Sequence, residues 1–125
     1  MAKKILIIED EELLLNLLQK KFQELNYNVS VAKDGLAGLE AIKENEPDLI
    51  LLDIVMPKMG GFELLEKMSQ DSAIKNIPVI IISNSGQPVE IEKAKALGVN
   101  DWLIKTEFDP QEVVDKVIKQ IGTSS

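Results

Sequence analysis

The run Leu49-Ile50-Leu51-Leu52-Asp53 passes at once into Ile54-Val55-Met56-Pro57-Lys58-Met59-Gly60-Gly61, whose proline and paired glycines turn the chain into a new helix. A short run that is apolar on every side fits a central parallel strand covered by helices on both faces. In such sheets ligands collect beyond the carboxyl ends of the strands. Asp53 therefore stands where chemistry is usually done, although a lone acid after a strand is more often a cap or the start of a turn. The remainder of the chain decides between the two.

Outward from this stretch the pattern repeats. Strands are predicted near 4–8, 28–32, 48–52, 78–83 and 101–104, each followed by an amphipathic helical stretch. That alternation implies an α/β fold with a doubly wound parallel sheet. Ile5-Leu6-Ile7-Ile8, Leu49 to Leu52 and Val79-Ile80-Ile81-Ile82 are continuously apolar and suit the three central strands. Val29-Ser30-Val31 and Trp102-Leu103-Ile104 are more mixed and suit edges. Asp109-Pro110-Gln111-Glu112 supplies a cap, a proline at the first helical position and an acid at the third. Val113, Val114, Val117, Ile118 and Ile121 then make one apolar face. Asn26 and Gly98 sit at helix ends where a left-handed residue is needed. In the first helix Leu14, Leu17, Leu18 and Phe22 are expected to share the inner face, leaving Leu13 and Leu15 as surplus apolar surface for docking a partner.

Composition narrows the chemistry. With 125 residues, 45% of them hydrophobic and 28% charged, the chain reads as one ordinary globular domain, residues 1–121, with 122–125 as a flexible tail. No apolar run approaches the roughly 20 residues that span a bilayer, and Met1-Ala2-Lys3-Lys4 leads straight into a strand too short for a signal-peptide core. The cytoplasm is the expected address, with no membrane partner. The sequence has no Cys and no His, so thiol chemistry and the commonest metal ligand are absent; any metal must be a hard ion held by oxygen. A net charge of -7 argues against nucleic acid as a partner of this domain and favours basic protein faces.

All strands of a parallel sheet end on one side. Glu9-Asp10 follow the first strand, Asp53 the third, Ser83 the fourth and Lys105 the fifth. Three acids, a hydroxyl and an ammonium thus converge, and carboxylates held so close demand protonation or a cation. With oxygen ligands only, Mg²⁺ is the natural ion, and it commonly combines one or two carboxylates with phosphate oxygens. A carboxylate can then act as nucleophile toward phosphorus, with Lys105 and Ser83 orienting the transferred group.

With these residues in view, the sequence resembles the receiver domains of two-component response regulators, most closely the single-domain chemotaxis-regulator type. The resemblance spans essentially the whole chain. It is carried by Ile7-Ile8-Glu9-Asp10-Glu11, Pro47 to Gly61, Pro78-Val79-Ile80-Ile81-Ile82-Ser83, and Gly98-Val99-Asn100-Asp101-Trp102-Leu103-Ile104-Lys105. It implies a flavodoxin-like (βα)5 three-layer sandwich with strand order 2-1-3-4-5. It implies Asp53 as phosphoacceptor, and Mg²⁺ held by Asp10, Asp53 and the Val55 backbone carbonyl, with Glu9 acting through water. Lys105 and Ser83 contact the phosphoryl oxygens. The donor is a phosphohistidine on a sensor histidine kinase or histidine phosphotransfer protein, and the receiver catalyses only its own phosphorylation and dephosphorylation. Ser83 and Trp102 form the switch, and the output face toward a downstream protein target is about Pro88 to Leu97 and Asp101 to Ile121.

Three residues depart from the usual receiver pattern. Trp102 stands where Tyr or Phe is usual, Asn84 where a small residue follows the switch hydroxyl, and Thr106 where most receivers have a proline after a cis bond. A cis bond before a non-proline residue costs about 2.5 to 4 kcal/mol, so Lys105-Thr106 is expected to be trans with its loop reshaped. A second reading is a receiver-like interaction module that works without phosphate. A third, an aspartyl-nucleophile hydrolase, wants a second acid two residues past the nucleophile, and Val55 is there.

Overall fold

The computed structural model describes residues 2–99, 101–107 and 109–124; Met1, Asn100 of the quoted fifth-strand motif, Phe108 and Ser125 lie outside the described residues. In it, β1 (Lys4–Ile8), β2 (Asn28–Ala32), β3 (Leu49–Asp53), β4 (Val79–Ser83) and β5 (Asp101–Ile104) alternate with α1 (Glu12–Glu24), α2 (Gly35–Asn45), α3 (Gly61–Ser69), α4 (Pro88–Ala96) and α5 (Pro110–Ile121). Every neighbouring pair of strands is parallel, in the order β2-β1-β3-β4-β5. The expected fold class and strand order are therefore observed, with β1, β3 and β4 central.

The uniformly apolar strands follow from period-2 side-chain alternation inside a sheet covered on both faces. Leu6, Ile8, Ile50, Leu52, Val79 and Ile81 pack on one side with Ile42 of α2, Leu64, Leu65 and Met68 of α3, and Ala94 of α4. Ile5, Ile7, Leu49, Leu51, Ile80 and Ile82 pack on the other with Leu15, Leu18 and Phe22 of α1 and Val113, Val114 and Val117 of α5. Each fully buried Leu or Ile contributes about 1.5 to 3 kcal/mol, so the two cores fix the direction of every strand and hence the edge at which all of them end. The edge strands β2 and β5 are only partly buried, as their mixed sequences require.

Helix ends match the local sequence signals. Asp109 caps α5, its side chain accepting from the Glu112 N–H at 3.0 Å, and Pro110 takes the first helical position. Asp34 caps α2 through Ala37 N–H at 2.8 Å. Asn26 and Gly98 adopt the left-handed conformation, with φ of 70° and 93°. In the tail, the Gly122 carbonyl accepts from the Tyr27 hydroxyl at 2.6 Å, and Ser124 Oγ donates to the Asn26 carbonyl at 2.7 Å.

One helix face differs from the reading above. Leu15 is buried at 2% exposure, whereas Leu17 is 47% and Leu13 84% exposed. Burial of Leu15, Leu18 and Phe22 follows the i, i+3, i+7 spacing and turns the stripe by one residue; Leu13 and Leu17, four apart, are the exposed apolar pair. α4 is the least amphipathic helix in its burial: only Ala94 is fully enclosed, and Ile91 and Leu97 are half-buried.

Close backbone approach fixes the loop that leaves β3. A Cβ on Gly35 at the start of α2 would overlap the Met59 carbonyl, so no side chain fits between that helix and the loop. Gly35→Ala is expected to lower stability by about 2 to 3 kcal/mol. The check is a lower urea midpoint at an unchanged slope.

Candidate functional site

The strand register brings the acids side by side. Ile8 of β1 lies beside Leu52 of β3, so Glu9 and Asp53 are adjacent residues at the sheet edge. Asp53 in turn lies beside Ile82, one residue before Ser83, and Ser83 lies beside Ile104, one residue before Lys105. The Lys105 N–H donates to the Ser83 carbonyl at 2.7 Å, which extends the β4–β5 pairing to the site. Behind Asp53, α3 starts very close. A Cβ on Gly61 would come within 2.8 Å of the Asp53 carbonyl oxygen, so glycine lets the chain turn away at once. The Gly61 N–H donates to the Ile54 carbonyl at 2.8 Å and closes this turn.

Glu9, Asp53 and Ser83 are buried polar residues, whereas Asp10 is exposed. One carboxylate oxygen from each of Glu9, Asp10 and Asp53 falls within a group spanning no more than 4.8 Å, a spacing suited to one small cation. Lys105 is the nearby counter-charge. Its Nζ is 2.9 Å from Glu9 Oε1, 3.3 Å from Glu11 Oε2 and 3.4 Å from Asp53 Oδ2. Glu9 is held further by the Glu11 N–H, which donates to Oε2 at 3.0 Å.

One ammonium does not balance these acids. Burial, and then the negative charge of Glu9, push the Asp53 carboxyl up to about 7, against the opposing pull of Lys105. For Lys105, burial favours the neutral amine most strongly. The hydrogen bond to Glu9, the charges of Asp53 and Glu9 and the bond to Glu11 together outweigh it, so the ammonium is held above its usual range. The site is short of positive charge, and its donor set consists of oxygens. Both features fit a divalent hard cation such as Mg²⁺.

The family model of the response regulator receiver domain matches residues 5–118. The chain belongs to this family. Phosphorylation-dependent signalling in two-component systems is the general function of receiver domains. This receiver is 32% identical over 117 residues to the alkaline phosphatase synthesis transcriptional regulatory protein PhoP of Bacillus subtilis, covering 94% of the chain and 48% of that relative. It spans about half the length, or less, of the curated relatives it matches. Among solved structures it is similar to the chemotaxis protein CheY4 of Vibrio cholerae, with a TM-score of 0.89 and 26% identity over 97% of this chain and all of that one. It is also similar to the phosphorylated cyanobacterial phytochrome response regulator RcpA, with a TM-score of 0.82 and 27% identity over 95% and 93% of the two chains.

The receiver brings Glu9, Asp10, Asp53, Ser83 and Lys105 to one edge, and Val55, 72% exposed, lies in the bend directly after Asp53. Among the described residues no peptide bond is cis, so Lys105-Thr106 is trans, and Lys105 still reaches the acids. Trp102 is half-buried on β5. Its indole N–H donates to the Ser85 carbonyl at 3.0 Å, two residues past Ser83, and its ring lies 6.4 Å from that of Phe62. Lys93 of α4 stands 4.6 Å over the Phe62 ring, a cation–π contact that joins α3 to α4. Sequence reasoning gave no role to Glu11, Ser85 or Phe62. Glu11 carried a signal, as a third consecutive polar residue at the end of a central strand. The Ser85 carbonyl carried none, because any residue there supplies one. Among the described residues, no helix is long and apolar enough to cross a membrane.

Proposed function

We propose that this receiver is a phosphoacceptor switch in which Asp53 takes a phosphoryl group from a phosphohistidine on a sensor histidine kinase or histidine phosphotransfer protein. The observation that carries the reading is the meeting of Glu9, Asp10 and Asp53, with the Lys105 ammonium paired to Glu9 and Asp53. The Asp53 carboxylate attacks phosphorus. The new bond is P–O to Asp53 and the broken bond is P–N to the imidazole, whose ring nitrogen keeps the electron pair; with a proton already on the other ring nitrogen, the imidazole leaves neutral. Glu9, Asp10, Asp53 and the Val55 backbone carbonyl are the group that would hold Mg²⁺, Glu9 through water. When bound, the ion neutralises charge on the phosphoryl oxygens. Lys105 donates to one of those oxygens and Ser83 to another, so the charge that develops meets preplaced donors.

The receiver's catalysis is confined to its own aspartyl phosphate. Docking of the donor uses the exposed α1 face at Leu13, now with Leu17 beside it in place of the buried Leu15. Ser83 and Trp102 relay the state of Asp53 to a face made by α4, β5 and α5, and the target there is a protein in the cytoplasm, not nucleic acid or membrane. Residues 1–121 act as the domain and 122–125 as its tail. The experiment is intact-mass measurement after exposure to a small acyl phosphate with Mg²⁺. Gain of one phosphoryl group, prevented by a chelator, is the expected result. No gain, together with no response of Trp102 fluorescence to Mg²⁺ and beryllofluoride, would instead favour a module that works without phosphate.

A further inference from the structure

Glu11 occupies the N-cap of α1 yet makes no capping hydrogen bond with its side chain. Its carboxylate turns to Lys105 instead, at 3.3 Å. We propose that Glu11 is a positioning residue that competes with the phosphoryl group for the Lys105 ammonium and so restrains phosphorylation of Asp53; this rests on the function proposed above.

An ammonium has three N–H donors. In the structure the ammonium donates to Glu9 Oε2 at 3.1 Å and Glu11 Oε2 at 3.3 Å, and lies 2.9 Å from Glu9 Oε1 and 3.4 Å from Asp53 Oδ2 as ion pairs. The Asp53 contact passes to its phosphoryl oxygen, which lies farther out than Oδ2, so the ammonium must shift to follow it and one of its other two acceptors must yield. Glu9 is badly placed to yield. Its side chain is 3% exposed and would lose a charged partner with little water to replace it. The Glu11 side chain is 57% exposed and can exchange lysine for water at small cost. Glu11 is also absent from the carboxylate group that suits a cation, so releasing Lys105 does not disturb that group. It therefore sets how readily the ammonium becomes available without taking part in the chemistry.

Glu12 provides a matched control. It is the next residue, is 58% exposed and pairs with Lys33 at 2.8 Å, so neutralising it removes the same charge from the same helix end without touching Lys105. The experiment compares wild type, Glu11→Gln and Glu12→Gln for the initial rate of phosphorylation by a small acyl phosphate with Mg²⁺, and for beryllofluoride affinity by calorimetry. Glu11→Gln is expected to raise both by about threefold to tenfold, and Glu12→Gln to leave both within about twofold of wild type. A damaged fold would lower both, so an increase cannot come from structural loss. Equal or slower phosphorylation in Glu11→Gln overturns the proposal, as does an equal gain in Glu12→Gln, which would assign the effect to net charge. If wild type binds beryllofluoride and Glu11→Gln behaves identically, only this inference fails. If wild type takes up neither probe, the function proposed above fails and this falls with it.

Discussion

Asp53→Asn is expected to reduce phosphoryl uptake by at least about a hundredfold, to the background of an intact-mass or radiolabel assay, because the amide lacks the nucleophilic oxygen charge. The same substitution is expected to stabilise the protein in the absence of Mg²⁺. With its carboxyl raised to about 7 from an ordinary 3.8, Asp53 holds a proton in the folded state that the unfolded chain releases at lower pH. Its contribution is thus fully favourable below about pH 4 and is lost as pH rises through about 7. Above that point Asp53 is an ionised acid beside Glu9, and Asn relieves the repulsion. At pH 8 the variant should be more stable by about 1 to 3 kcal/mol, a difference that shrinks on acidification. Urea unfolding at the two ends of the range measures it. A variant less stable than wild type at pH 8 would show that Lys105 depends on Asp53 more than Glu9 repels it.

Mg²⁺ affinity should depend steeply on pH. Below about 7 the Asp53 carboxyl carries a proton, which must leave before an ion can take its oxygen. Affinity is expected to fall by roughly tenfold for each unit of acidification below that point, and to level off above it. Calorimetric titration from about pH 5.5 to 8.5, with the number of protons released per ion taken from buffers of different ionisation enthalpy, gives both quantities. An affinity that stays flat through neutrality would mean that Asp53 is already ionised without metal. Lys105 would then compensate the acids more fully than its single charge at 3.4 Å suggests.

The fold was legible because continuous apolar runs and mixed ones separate central strands from edges in the sequence itself. Leu49 to Leu52 could lie only where both faces are covered, and alternate residues indeed divide between the two cores. The site was legible for the same reason: parallel strands end together, so residues far apart in sequence could be gathered by their positions after strands. What escaped depended on rotation and reach. Four leucines in five residues of α1 leave the inner face undecided by one position, and packing of Leu18 and Phe22 settles it in favour of Leu15 over Leu17. The loss of proline at Thr106 raised a question about Lys105 that sequence could not answer. The answer lies in acids on a different segment, Glu9 and Glu11, which draw the ammonium in. Trp102 was visible as a departure, but its bond to a backbone carbonyl was not.

Of the helices on the side of α2, α4 has the smallest apolar investment, one alanine methyl deep in the core against three valines for α5 on the opposite side. A buried valine is worth about 1.5 to 3 kcal/mol, whereas an alanine adds little beyond a single methyl. What ties α4 down is peripheral: Lys93 over Phe62, the same lysine 3.9 Å from Glu66, and the loop that Trp102 holds at Ser85. Such a helix is a passenger on its neighbours. With so little apolar area holding it, α4 is expected to follow a displacement of the Ser85 loop that is too small to disturb the core at β4, and so to reorient one wall of the domain.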